Sequence, residues 1–217
     1  MNLKNITQNF TQKFPGDFSE NTMQRQTPEV LFCFIKPAKF DNTKLIDFNE
    51  NLSVEIGLGA LENDKDFLVA QNLPSNVRTY ATAYAGHQFG GFQPRLGDGR
   101  ALLLGELRDR EGRLRDIALK GSGRTRFSRM GDGRAVLGPM LREYLISEAM
   151  AALGVPTTRS LAVIATGHGV RRETLQPGAI LTRVAASHLR VGSFQYARIA
   201  GEDELLRRLA DHAIARH

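Results

Sequence analysis

The tetrapeptide Gly-Asp-Gly-Arg stands twice in this chain, at 97–100 and at 131–134, and the two copies bracket the apolar runs ALLLGEL (101–107) and LRDIALK (114–120). Glycine at that density works against a helix, since each interior glycine costs about 1 kcal/mol relative to alanine. The two runs, with REG (110–112) in the turn between them, read as an antiparallel strand pair. Residues 97–134 are therefore expected to form a hairpin held between two glycine loops. Alternation along DIALK puts Ile117 and Leu119 on one face and Ala118 and Lys120 on the other. From Ala85 to the C-terminus there are 20 arginines and one lysine, Lys120, which ends the second strand beside a Gly-Ser-Gly step. A site that uses lysine in so arginine-rich a stretch calls for a compact, steerable ammonium.

Around this unit the pattern is mixed. LGPMLREYLISEAMAALG (137–154) reads as a helix with Pro139 in its first turn and Gly154 at its stop. RSLAVIAT (159–166) and AILTRVA (179–185) read as strands, joined by a turn-rich connection over 167–178. The segment 202–217 is an acid-first, base-last helix, which suits the helix dipole. Upstream, 80–100 is too rich in glycine and aromatics for a helix. Residues 42–57, with Leu45, Phe48, Leu52 and Ile56 at helical spacing, predict a short amphipathic helix. Residues 1–40 look like a polar arm, with FPGD (14–17) and KPAKF (36–40) as turns or extended pieces. The order gives an α+β fold without the regular rhythm of a doubly wound sheet.

Charge narrows the partners. Residues 1–84 carry 8 basic and 10 acidic side chains, residues 85–217 carry 21 and 13. The basic half invites a polyanion: nucleic acid, a membrane surface or nucleotide phosphates. Much of it is interleaved with acids, as in ELRDREGRLRD (106–116), which suits a solvated face. GSGRTRFSRMGDGR has one aromatic, Phe127, and no known nucleic-acid module, so neither RNA nor DNA is the expected partner. No apolar run reaches the roughly 20 residues that span a bilayer, so no membrane is expected. The N-terminus lacks a signal core, and the single cysteine, Cys33 in LFCFI, reads as a buried small hydrophobe, so a cytoplasmic setting is expected. The five histidines lack metal-ligand spacing; His87 and His188 read as structural hydrogen-bonding residues.

A strand lysine, a glycine loop before it and a helix glutamate after it form the constellation with which protein kinases hold ATP phosphates. Two glutamates compete for the last role, Glu143 and Glu148, each flanked by apolar residues one turn away. The GDGR copies read equally as plain hairpin turns, and neither is G-x-G-x-x-G or a Walker loop.

The strings YAGHQFGGFQPRLGDGRALLLGE, DIALKGSGRTRFSRMGDGRAVLGPMLREYLISEAMAALGVPTTRSLAVI and AILTRVAASHLRVGSFQYARI resemble the selenoprotein O (SelO, YdiU) family. The resemblance is close over roughly 80–200 and looser toward FPGD. It implies a protein-kinase-like (pseudokinase) fold, chiefly its N-terminal nucleotide-binding lobe. It implies ATP bound in a flipped orientation, with AMP transferred to Ser, Thr or Tyr hydroxyls of proteins, diphosphate released, and Mg²⁺ or Mn²⁺ as the metal. By the same resemblance Gly97, Gly99 and Arg100 line the nucleotide and Lys120 contacts its phosphates, with Glu143 in the helix-glutamate role. Asp132 and Gly133 approach the nucleotide, and Arg183 and Arg190 hold phosphates. Cations at those two positions suit the charge that builds on departing diphosphate.

In this reading the chain divides into an N-terminal extension (1–79), a nucleotide-binding lobe (80–200) and a helix opening a second lobe (201–217). Nothing after Lys120 resembles the kinase catalytic or metal-binding motifs, and no asparagine follows Asn76. The expectation is an ATP-gripping lobe that is catalytically incomplete alone and lacks metal ligands. The alternatives are a non-catalytic ATP-binding module and an arginine-rich nucleic-acid binder.

Overall fold

The computed structural model describes residues 5–23, 30–59, 61, 64–200 and 203–217. In chain order its elements are α1 (Asn9–Lys13), β1 (Gly16–Asp17), β2 (Phe32–Phe34), β3 (Lys44–Phe48), α2 (Glu50–Glu55), α3 (Lys65–Leu68) and β4 (Tyr80–Thr82). There follow β5 (Gly86–Gln88), β6 (Gly91–Gln93), β7 (Ala101–Arg108), β8 (Leu114–Lys120), β9 (Ala135–Val136) and α4 (Leu137–Ala152). The last are β10 (Arg159–Arg171), β11 (Leu175–Ala185), α5 (Val191–Ala200) and α6 (Asp203–Arg216). The fold is α+β. One sheet runs β1-β2-β4-β7-β8-β11-β10-β3, with β9 paired to β11, and β5 and β6 form a separate hairpin.

β7 and β8 are the expected antiparallel pair, with Ala101 opposite Lys120 and Glu106 opposite Asp116. Their alternation separates two cores. Ile117 and Leu119 face a cluster with Leu52, Ile56, Phe67 and Leu161, whereas Ala118 joins Phe32, Phe34, Tyr80 and Leu103. On the Lys120 side α4 packs Met140 and Tyr144 against Val163 and Leu181. Each such buried side chain contributes about 1.5–3 kcal/mol of transfer free energy.

The β7–β8 turn is locked by Asp109. Its carboxylate accepts from the Glu111 and Arg113 amides at 3.0 and 2.9 Å, and from Nε of Arg113 and Arg115 at 2.9 Å each. Burial alone would push this carboxyl up, but the four hydrogen bonds outweigh it and hold it down at about 2. Because the folded value lies below the unfolded one, the stabilisation is present above about pH 4 and is lost as pH falls toward 2. Asp109→Asn is expected to lower stability at pH 7 by on the order of 1–2 kcal/mol, allowing for solvent screening. In urea titrations the gap to the parent should close as pH approaches 2; equal midpoints at pH 7 would remove the turn from the list of stabilising features.

Three sequence expectations change. The helix expected over 42–57 is a strand and a helix. Lys44–Phe48 pairs with β10, and the helix starts only after Asn49, whose side-chain oxygen accepts from the Leu52 amide at 3.0 Å. Leu45, Phe48, Leu52 and Ile56 still reach one core, from two kinds of backbone. The connection expected over 167–178 is mostly strand. β10 and β11 extend into a long hairpin that turns only at 172–174, with a bulge near Gly167. Finally, Phe32–Phe34 is a sheet strand, so the polar arm is partly woven into the sheet. Within it Cys33 is buried and its thiol is pushed up to about 12 by that burial, as suits a small core residue. The C-terminal helix is described from Asp203; Glu202 lies outside the described residues. Among the described residues no helix is long and apolar enough to cross a membrane.

Candidate functional site

The two GDGR loops, more than thirty residues apart in sequence, line one cavity of about 350 Å³. Gly97, Gly99 and Arg100 line it from the first copy, and Asp132, Gly133 and Arg134 from the second. Local chemistry sets each loop. In the first, buried Asp98 accepts from the Thr82 amide at 3.0 Å and from the Thr82 hydroxyl at 2.5 Å, while its own carbonyl accepts from Thr125 Oγ1 at 2.6 Å. A Cβ on Gly97 would overlap the ring of Phe127, and one on Gly99 would stand 2.8 Å from the Phe127 carbonyl oxygen. These glycines let the 125–128 segment close against the loop. That segment is tied in turn to the N-terminal arm, through an ion pair between the buried Arg126 and Asp17 of FPGD.

In the second loop the Arg134 amide donates to Asp132 Oδ1 at 2.9 Å, and Arg172 grips both carboxylate oxygens at 2.8 and 3.1 Å. The hydrogen bonds from Arg172 hold the Asp132 carboxyl below its usual range. Gly133, at φ +69°, accepts from the Gly123 amide at 3.1 Å, so the loop lies directly on the GSGR turn.

Beside the cavity is an ion cluster. Lys120 ends β8 between Ala101 and Leu181 and its ammonium donates to Glu143 of α4. The other oxygen of Glu143 lies 3.4 Å from Nε of Arg183 on β11, so one carboxylate serves two cations. Burial draws the Arg183 guanidinium below its ordinary value, with Glu143 opposing and Arg190 reinforcing that shift. Of the two glutamates, Glu143 is the one paired with Lys120. Glu148 accepts from Arg159, from the Ser160 amide at 2.8 Å and from Asn49 at 2.8 Å, on the far side of the helix network. Arg190 stands 4.8 Å over the ring of Tyr84, which itself lines the cavity. Lys120, Glu143, Arg183 and Arg190 do not line the cavity wall. They adjoin it through the Gly121 amide, which donates to the Arg100 carbonyl at 2.7 Å, and through Tyr84.

Sequence reasoning missed Tyr84, Asp98 and Arg172. Tyr84 and Asp98 lie inside quoted motifs, but nothing in their spacing distinguishes them; Arg172 sits in a stretch read as a loop. His188 also differs from expectation. Its backbone amide donates to Asp116 at 2.8 Å, while its buried ring nitrogens make no hydrogen bond. Among the described residues there is no group of three or more His, Cys, Asp or Glu side chains placed to hold a metal ion.

A family model described as "Protein adenylyltransferase SelO" matches residues 17–217. The chain belongs to the SelO family. Relatives named "Protein nucleotidyltransferase YdiU" include one from Pseudarthrobacter chlorophenolicus, 65% identical over 178 residues, covering 80% of this chain and 36% of the relative. One from Mycolicibacterium smegmatis is 63% identical over 202 residues, covering 89% and 41%. Another, from Rhodopseudomonas palustris, is 54% identical over 211 residues, covering 95% and 42%. This SelO-family chain thus spans about two fifths of the length of these curated relatives. The family match also runs unbroken across the change in composition near residue 85.

Proposed function

We propose that this SelO-family chain is the ATP-gripping, protein-kinase-like lobe of a protein adenylyltransferase that moves AMP from ATP to Ser, Thr or Tyr hydroxyls of protein substrates. The observation that carries the reading is the Lys120–Glu143 ion pair on a strand and a helix, set against a cavity shared by both GDGR loops. Gly97, Gly99 and Arg100 of the first loop, with Asp132 and Gly133 of the second, line the nucleotide. Lys120 supplies a movable point charge to the phosphates, and Glu143 keeps it aimed when no nucleotide is present. Attack at the α-phosphorus breaks the bond to the β-phosphate bridge, and the electron pair leaves on diphosphate. Arg183 and Arg190 stabilise that charge, Arg183 from a largely buried position where water screens it little and Arg190 from the exposed rim. Mg²⁺ or Mn²⁺ belongs to this reaction class; its ligands, and the base that orients the acceptor, come in this reading from the length of the relatives that this chain does not span. The setting proposed is cytoplasmic.

Calorimetric titration of ATP into the 217-residue chain tests the reading. Binding is expected, and Lys120→Ala should weaken it about 10- to 100-fold, the worth of one charge-assisted hydrogen bond. Radiolabel from α-labelled ATP should not pass to protein with this chain alone. A folded parent that ignores ATP would overturn the proposal, and steady AMP transfer would overturn the incompleteness.

A further inference from the structure

The β10–β11 hairpin is longer than the sheet requires. Its last buried side chain is Val170, two residues short of Arg172, yet the hairpin runs on to a tip whose residues 171–175 are all exposed. Exposed, overhanging backbone with no core to cover needs another reason to be ordered. The tip carries one: Arg172 folds back across the second GDGR loop. Nη1 donates to Asp132 Oδ2 at 2.8 Å, Nη2 to Asp132 Oδ1 at 3.1 Å, and Nη2 also to the Arg134 carbonyl at 3.0 Å. Nη1 further donates to the Arg171 carbonyl at 2.8 Å, which holds the guanidinium to its own hairpin. The fork therefore meets three acceptors on one four-residue loop.

As a stabilising contact this would be a poor choice. Both side chains are near two-fifths exposed, 38% and 41%, and exposed ion pairs contribute about 0–1 kcal/mol. As a way of fixing a loop it is well suited. Gly131 and Gly133 leave the loop many shapes, and a ligand that had to select one would lose affinity to ordering. Arg172, Asp132 and Arg134 all line the cavity. The same hydrogen bonds hold the Asp132 carboxyl below its usual range.

We propose that Arg172 is a positioning residue of the nucleotide site, presetting Asp132 and the second GDGR loop for ATP from the tip of the β10–β11 hairpin. The proposal rests on the ATP-binding reading above. Arginine suits the position because its planar fork meets both carboxylate oxygens in one fixed bidentate geometry while still reaching the carbonyl, an arrangement a rotating lysine ammonium does not set.

The test is ATP titration by calorimetry into the parent, Arg172→Ala, Arg172→Lys, Asp132→Asn and the Arg172→Ala/Asp132→Asn pair. Arg172→Ala should weaken ATP binding roughly 5- to 20-fold, Arg172→Lys nearly as much, and the double variant no more than the worse single, as coupled sites do. Added guanidinium ion at low millimolar concentration should recover part of the Arg172→Ala loss and leave the parent unchanged. If parent and Arg172→Ala bind alike, or the losses add with no rescue, Arg172 does not act through Asp132 and the inference fails while the ATP site stands. Parent-like binding by Arg172→Lys would also end it, since the fork would then be dispensable. A parent that binds no ATP removes both readings together.

Discussion

Arg216→Met is expected to lower the free energy of unfolding by about 3–5 kcal/mol, the cost of stranding buried charge. Glu106 and Asp116 are directly opposed across β7 and β8, and like charges in that position repel. Their side chains are 4% and 11% exposed, so water does little to screen them. Arg216, in the last turn of α6 and itself 5% exposed, reaches between them. Nη1 pairs with Glu106, Nη2 with Asp116 at 2.5 Å, and Nε donates to the Ala186 carbonyl at 2.8 Å. The amides of Asn9 and His188 supply further donors, at 3.0 and 2.8 Å. Methionine fills similar space but leaves two carboxylates facing each other in a dry site. Urea unfolding of parent and variant measures the loss. Adding Glu106→Gln and Asp116→Asn to Arg216→Met should return part of it, because the repulsion goes with the charge. A loss under about 1 kcal/mol, the figure for exposed ion pairs, would mean that α6 is not pinned here.

Gly133→Ala should be the most damaging change of a glycine near the cavity, and Gly112→Ala is its control. Both glycines have positive φ, +69° and +79°, so an alanine at either pays about 1–2 kcal/mol for the left-handed backbone. At Gly112 nothing lies within 4 Å of the new Cβ, and the backbone cost is the whole expected effect. At Gly133 the Cβ would overlap the Gly123 carbonyl and crowd the Arg124 amide. The loop must lift, the Gly123–Gly133 hydrogen bond breaks, and roughly another 1 kcal/mol is lost with it. Lifting the loop also carries Asp132 away from Gly97 and Gly99 across the cavity. Gly133→Ala should therefore lose ATP binding as well as stability, whereas Gly112→Ala should keep ATP binding whole. Equal behaviour of the two variants in thermal unfolding and ATP titration would show that loop contact is not what the second GDGR requires.

The contrast between these glycines also marks what the sequence could tell. The β7–β8 hairpin, α4 and the faces of Ile117, Leu119 and Lys120 were legible, because apolar alternation and helical spacing follow directly from burial. Lys120 stood out by its rarity. The choice of Glu143 over Glu148 was not legible: both have apolar neighbours one turn away, and Glu148 is claimed by Asn49, Arg159 and Ser160, groups that only the folded sheet brings to it. Gly97 and Gly99 read as room for a ligand, yet Phe127 from the next loop already presses on them. Likewise Lys44–Phe48 carries a helix-like spacing that pairing with β10 overrides. α5 gave no signal because it opens on Val-Gly-Ser; Gly192 is there for closeness, its carbonyl accepting from the Ala85 amide at 2.8 Å.

The strand order has a consequence for how the molecule is made. Both rims of the sheet, β1 and β3, come from the first 48 residues, while β7, β8, β10 and β11 in its middle all follow residue 100. Phe48 finds its neighbour only at Ala162. Chains emerge from the ribosome N-terminus first, at about 5–20 residues per second, so the rims are translated before there is anything to frame. Through that interval the apolar LFCFI stretch has no sheet to join. Nascent chains halted before Ala162 should be the ones that holdase chaperones retain, and chains released past Ala185, the end of β11, the ones they let go.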